Sequence, residues 1–148
     1  MNSAARSDAI ATSAFSGIAR RFAHLKMVED RDGSVEISLS IPPQAGLKHR
    51  VWLALQNVNE LHFNVEQFRG EWFPCTDPAC LQSYLDAVVG FLEGRHRVLE
   101  RFRGSRCVSA ELQRATGSGW TSIRKCRHLG FPTSWEVSYR EIRNTPAV

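Results

Sequence analysis

The sequence predicts an α+β fold. Two main helices pack on one face of a mostly antiparallel sheet of about seven to eight strands, in the order α-ββββ-α-ββββ. Three observations carry this expectation. Apolar residues recur every three or four positions in two stretches, near 7–27 and 77–94, the period of a helix with one buried side. Elsewhere apolar and polar residues alternate, as in strands that are wet on one face. Clusters of Gly, Pro and Asn separate the alternating runs and supply their turns.

Ile10, Ala14, Phe15, Ile18, Phe22 and Leu25 form the stripe of the first helix, which the turn at Glu29-Asp30-Arg31-Asp32-Gly33 ends. Val35, Ile37, Leu39 and Ile41 alternate with Ser34, Glu36, Ser38 and Ser40, and Pro42-Pro43 breaks that strand. Val51/Leu53/Leu55 and Leu61/Phe63/Val65 are the apolar sides of two further strands. Asn57-Val58-Asn59 joins them in a tight hairpin, because Asn tolerates positive φ. A short strand is expected at 71–73 after the turn at Arg69-Gly70. Asp77-Pro78 then opens the second helix, with Asp77 as N-cap and Pro78 in the first turn, where no backbone donor is needed. Leu81, Leu85, Val88 and Leu92 form its stripe, and Gly94 stops it. Four more strands are expected near 96–103, 107–114, 119–127 and 134–142.

A chain of 148 residues is long enough for one domain with a proper core. Its pseudo-halves, 1–74 and 75–148, suggest a topological duplication. A short echo, Val65-Glu66-Gln67-Phe68-Arg69-Gly70 against Leu99-Glu100-Arg101-Phe102-Arg103-Gly104, reads as the same hairpin chemistry used twice. The apolar share of 43% excludes global disorder. No stretch approaches the run of about 18 apolar residues that a membrane helix needs. Residues 1–27 carry four Lys/Arg against one acid, a composition resembling an amphipathic transit peptide, although a structural helix is the expectation. With no secretory signal, the four cysteines read as reduced thiols in the cytoplasm.

The charge is uneven. Residues 1–74 hold eight basic and eight acidic side chains, whereas 75–148 hold eleven and seven. Most of the excess lies in 95–127, with nine Lys/Arg against Glu100 and Glu111. Strand alternation sorts these cations. Arg97, Arg101 and Arg103 point together, and Lys125 and Arg127 can join them, whereas Arg124 faces the other way. Such a cluster suits an anion, nucleic acid included.

Catalytic signatures are missing. The cysteine spacing C-x4-C-x26-C-x18-C lacks the close pairs of zinc sites. The five histidines form no HExxH or HxH, and no phosphate-binding or nucleophile-elbow motif occurs. No metal or cofactor is therefore expected, and the reading leans away from an enzyme while leaving open a site assembled from distant residues. One thiol arrangement has chemical interest: Cys80 falls in the first turn of the second helix, whose free N–H groups lower a thiol pKa, with Cys75 as resolving partner.

If Val51/Leu53/Leu55 and Leu61/Phe63/Val65 face the helices, then Trp52, His62, Asn64, Glu66 and Phe68 face away. Aromatic rings beside His and Asn on a flat sheet suit a docking surface. The leading expectation is thus a non-enzymatic binding or assembly protein, acting through that face and the 42–50 loop as a homo-oligomer or with a protein partner. Nucleic-acid binding through the 95–127 strands is the alternative, and thiol chemistry at Cys75/Cys80 comes third.

Overall fold

The computed structural model describes residues 2–146. Asn2 caps α1 (Ser3–Arg21), its Oδ1 accepting the Ala5 N–H at 2.8 Å. Arg20 and Arg21 occupy the last turn, where cations oppose the negative end of the helix dipole. Five strands follow: β1 (Val28–Asp30), β2 (Ile37–Ile41), β3 (Val51–Gln56), β4 (Glu60–Val65) and β5 (Phe68–Trp72). They form an antiparallel meander whose spatial order is the chain order. Then comes α2 (Pro78–Leu92), where the Asp77 carboxylate accepts the Ala79 N–H at 3.1 Å. Gly94, at φ +78, follows it in the left-handed conformation that ends helices.

The second half contributes β6 (His96–Arg103), β7 (Arg106–Thr116), β8 (Gly119–Arg127) and β9 (Val137–Ile142). Their sheet has the order β8-β7-β6-β9, again antiparallel.

The α+β class and the order of helices and strands agree with the sequence expectation. The strands divide between two sheets, and the first half gains β1. That strand is an exposed Val-Glu-Asp triplet without alternation, so nothing in the sequence marks it. The two halves also differ in strand order. The Phe-Arg-Gly echo has no structural counterpart: 66–67 is the turn between β4 and β5, whereas 99–103 lies within β6.

One apolar core holds the molecule together. Ile37, Leu39, Val51, Leu53, Leu61, Phe63 and Phe68 line the inner face of the first sheet beneath both helices. Phe15 and Ile18 come from α1, Tyr84 and Phe91 from α2, and Val98, Leu112 and Ile142 from the second sheet. Phe63 meets Phe68 and Phe91 edge-on at 5.8 and 5.7 Å, a favoured ring geometry. The Tyr84 hydroxyl, its pKa raised well above the usual value by burial, donates to the His62 carbonyl at 2.8 Å.

The sheets meet where the free edge of β5 approaches β8. An edge strand leaves backbone groups unpaired, and here side chains take them. Cys126 Sγ accepts the Arg69 N–H at 3.4 Å, and His128 Nε2 lies 2.7 Å from the Gln67 carbonyl. Glu100, 0% exposed, accepts the Gln67 N–H at 2.9 Å and the Arg140 Nε–H at 2.6 Å.

Candidate nucleic-acid interface

Residues paired directly across antiparallel strands share a face. Register therefore defines the outer face of the second sheet. On β6, Arg97, Leu99 and Arg101 lie opposite Gln113, Glu111 and Ser109 of β7. Glu111 and Ser109 in turn lie opposite Lys125 and Arg127 of β8. On the other side, Leu99, Arg101 and Arg103 oppose Glu141, Tyr139 and Val137 of β9. The five cations grouped by strand parity thus share one face, with Glu111 among them.

They are not equivalent. Arg97 is engaged: it pairs with Glu141 at 2.7 Å, donates to Gln113 at 2.8 Å and lies over the Trp120 ring at 4.2 Å. Arg101, Arg103, Lys125 and Arg127 have no carboxylate within ion-pair distance among the described residues. The buried Nε of Arg101 has no hydrogen-bond partner either. Glu111, the acid among them, accepts from Gln113 at 3.1 Å.

Aromatic rings lie beside Arg101 and Arg103. Trp135 is 81% exposed and Tyr139 61%, and the Arg103 guanidinium stands over Trp135 at 5.4 Å. Leu129 and Phe131 extend the exposed apolar surface. Residues 129–136 are fastened through Leu129, Thr133 and Glu136. Arg106 donates to the Leu129 carbonyl, Thr133 Oγ1 accepts the Ser105 N–H at 2.8 Å, and the Gly104 N–H bonds to the Glu136 carbonyl at 2.8 Å. Gly104 sits at φ +63, where an added Cβ would also overlap Thr133; only glycine suits this turn.

On the opposite side of the sheet Arg124 and Arg140 are engaged, whereas Arg114, paired with His96, has no carboxylate partner among the described residues. Arg124 lies over Trp72 at 4.5 Å, as its parity requires. Arg140 holds Glu100, and this contact raises the guanidinium pKa above its usual value.

The other expected sites fare differently. On the first sheet, Trp52 pairs with Asn64 and Ala54 with His62, so Trp52, His62 and Asn64 do face away from the helices. Trp52 and Asn64 are half-buried, and the His62 side chain is only 12% exposed. Phe68 is a correction: it is fully buried in the core. The β4–β5 turn takes two residues, so Phe68 pairs with Val65 and shares its inward face. Glu66 sits in that turn at φ +49, contacting His49 at 3.0 Å and Arg140 at 3.6 Å. The 42–50 loop is anchored as well: Leu47 is buried, and Gln44 Oε1 accepts the Lys26 N–H at 2.8 Å.

The thiol expectation is also corrected. Burial raises the Cys80 pKa, and the Asp77 carboxylate adds to the rise. The side chain that caps the helix thus opposes the dipole that would have favoured a thiolate. Cys75 is buried, and all four cysteines are free. Among the described residues no group of three or more His, Cys, Asp or Glu is placed to hold a metal, and no helix is long and apolar enough to cross a membrane.

Comparison with protein-family models, with curated proteins and with solved structures finds no match to this chain. Its chemistry must be read from its own surface. Sequence reasoning grouped the cations but missed Trp135 and Tyr139. Their signal was the alternation Trp135/Val137/Tyr139 in the last strand; what was lacking was the pairing of β9 with β6.

Proposed function

We propose that this chain is a non-enzymatic binding protein that takes single-stranded nucleic acid on the outer face of its second sheet. The observation that carries this reading is the placement of Arg101 and Arg103, without carboxylate partners, beside the exposed rings of Tyr139 and Trp135, with Lys125 and Arg127 on the same face two strands away on β8. Cations neutralise phosphates and release counterions. Exposed rings stack on bases, and only unpaired bases offer their flat faces. A single strand uses both features, whereas a duplex uses only the charge.

Anisotropy of a fluorescent oligouridylate, measured at two salt concentrations, tests this. With four phosphates neutralised, binding should weaken about 50-fold between about 50 and 200 mM salt, from a slope of about 0.7 per contact. Trp135→Ala should weaken binding by about 1–3 kcal/mol, the worth of one stacked base. Absence of binding at the lower salt, or binding indifferent to Lys125→Glu/Arg127→Glu, removes the proposal.

A second reading, assembly of two copies through the outer face of the first sheet, has one specific support. Trp52 and Asn64 line a cleft of about 530 Å3 with Arg50 and Arg69, and the buried Asn64 Oδ1 lacks a hydrogen-bond partner. Native mass spectrometry that finds only monomer at micromolar concentration excludes it.

A further inference from the structure

A second cleft, of about 960 Å3, lies where α2 meets the second sheet, and it shares no residue with the basic-aromatic face. Arg95, Arg114 and Arg143 line it against one acid, Asp86. Arg95 is already paired with Glu93 at 3.2 Å. Arg114 and Arg143 have no carboxylate partner among the described residues. Arg143 is nevertheless fixed in place: its Nε–H donates to the Gly94 carbonyl at 2.8 Å, and its guanidinium lies over Trp120 at 5.1 Å.

His96 is the unusual member. It is 7% exposed and lines the same cleft, yet its Nδ1 has no hydrogen-bond partner. Buried polar atoms are nearly always paired, so an unpaired one directly across from Arg114, in a cleft that Arg143 also lines, points to a missing ligand. The ring has little freedom to turn elsewhere, because it fills the space above Gly90, where any Cβ would overlap it. Burial, followed by the Arg95 and Arg114 charges, depresses its pKa against the pull of nearby backbone groups. The neutral form of the ring is therefore favoured.

We propose that this cleft binds a compact dianion, a phosphate group or a dicarboxylate, held by Arg114 and Arg143 over the buried ring of His96. Planar guanidinium forks match both oxyanion types in two-point geometry. The Gln82 amide donates to Asp86 at 2.8 Å, which occupies the one acid that would repel such a ligand.

The test is thermal unfolding of the full chain with inorganic phosphate and, separately, malonate, each against chloride at equal ionic strength. Specific binding raises the melting temperature. Arg114→Gln/Arg143→Gln should weaken the apparent affinity about tenfold or more, the loss expected with charge-assisted bonds, while Lys125→Glu/Arg127→Glu leaves it unchanged. A response to phosphate alone assigns a phosphorylated ligand, and one to malonate alone a dicarboxylate. In wild-type protein the His96 ring protons should shift in NMR spectra with the same saturation curve, a readout that needs no variant. Melting curves identical to those in chloride, a shift that survives Arg114→Gln/Arg143→Gln, or unmoved His96 signals overturn the assignment.

Discussion

Replacing Arg140 by Met tests how the second sheet is joined to the first. The Glu100 carboxylate has 0% exposure. One of its oxygens accepts from Gln67 N–H at 2.9 Å and the other from Arg140 Nε at 2.6 Å. Arg140 is its only ion-pair partner among the described residues. Removing one member of a buried pair typically costs about 3–5 kcal/mol, because a charge is left uncompensated. The Arg140 side chain is 51% exposed, so water can approach from its side and the lower end applies, about 3 kcal/mol. For a domain of this size, that corresponds to a fall in melting temperature of about 6–12 °C. Urea unfolding at neutral pH measures the change. Adding Glu100→Gln to the Arg140→Met background removes the stranded charge and keeps an acceptor for Gln67, so the double variant should recover about 1–3 kcal/mol of coupling. An Arg140→Met protein within about 0.5 kcal/mol of wild type, or a double variant whose cost is the sum of the singles, refutes the reasoning.

Two further outcomes follow from local geometry. Val58 occupies the left-handed region at φ +74 in the β3–β4 turn, a conformation that strains a β-branched residue. Val58→Gly should therefore stabilise the protein by about 0.5–1 kcal/mol despite the added freedom of the unfolded chain; a lower urea midpoint would falsify the strain argument. Because burial and Asp77 raise the Cys80 pKa, its alkylation rate should still climb with pH at about 9. A plateau below about 8.5 would restore a thiolate role.

Local signals in the sequence placed the elements, and non-local ones defeated it. Asp77-Pro78, the apolar stripes and the alternating runs each depend on neighbours a few residues away, so α2 and the strands 51–56, 61–65, 96–103 and 119–127 were legible. Strand parity was likewise enough to collect Arg97, Arg101, Arg103, Lys125 and Arg127 and to exclude Arg124. Phe68 was misplaced because the β4–β5 turn consumes two residues, and a one-residue change in turn length reverses every side chain after it. Cys80 was misread because the favourable effect of a helix N-terminus is generic. The opposing effects, burial and the Asp77 carboxylate, depend on where the helix packs. The partition into two sheets, and the meeting of β5 with β8 through Cys126 and His128, rest on contacts about 60 residues apart that no window along the chain can reveal.

Charged sheet edges have an ordinary explanation, since they discourage strand-to-strand aggregation. That explanation accounts for Lys125 and Arg127, which lie on β8 at one edge of the sheet. It does not account for Arg101 and Arg103, which lie on the interior strand β6. Nor does it fit β9, the other edge, which presents Val137 and Tyr139 to solvent instead of lysine or proline. Arg103 moreover stands directly opposite Arg106, and like charges so placed destabilise a sheet. On the opposite side of the same strands, Arg140 and Arg124 are matched to a carboxylate and an aromatic ring. Arg101 and Arg103 stand without a carboxylate partner among the described residues, next to exposed rings. Protection of an edge does not call for cations on an interior strand, whereas a surface that exchanges its counterions for a phosphate backbone uses them.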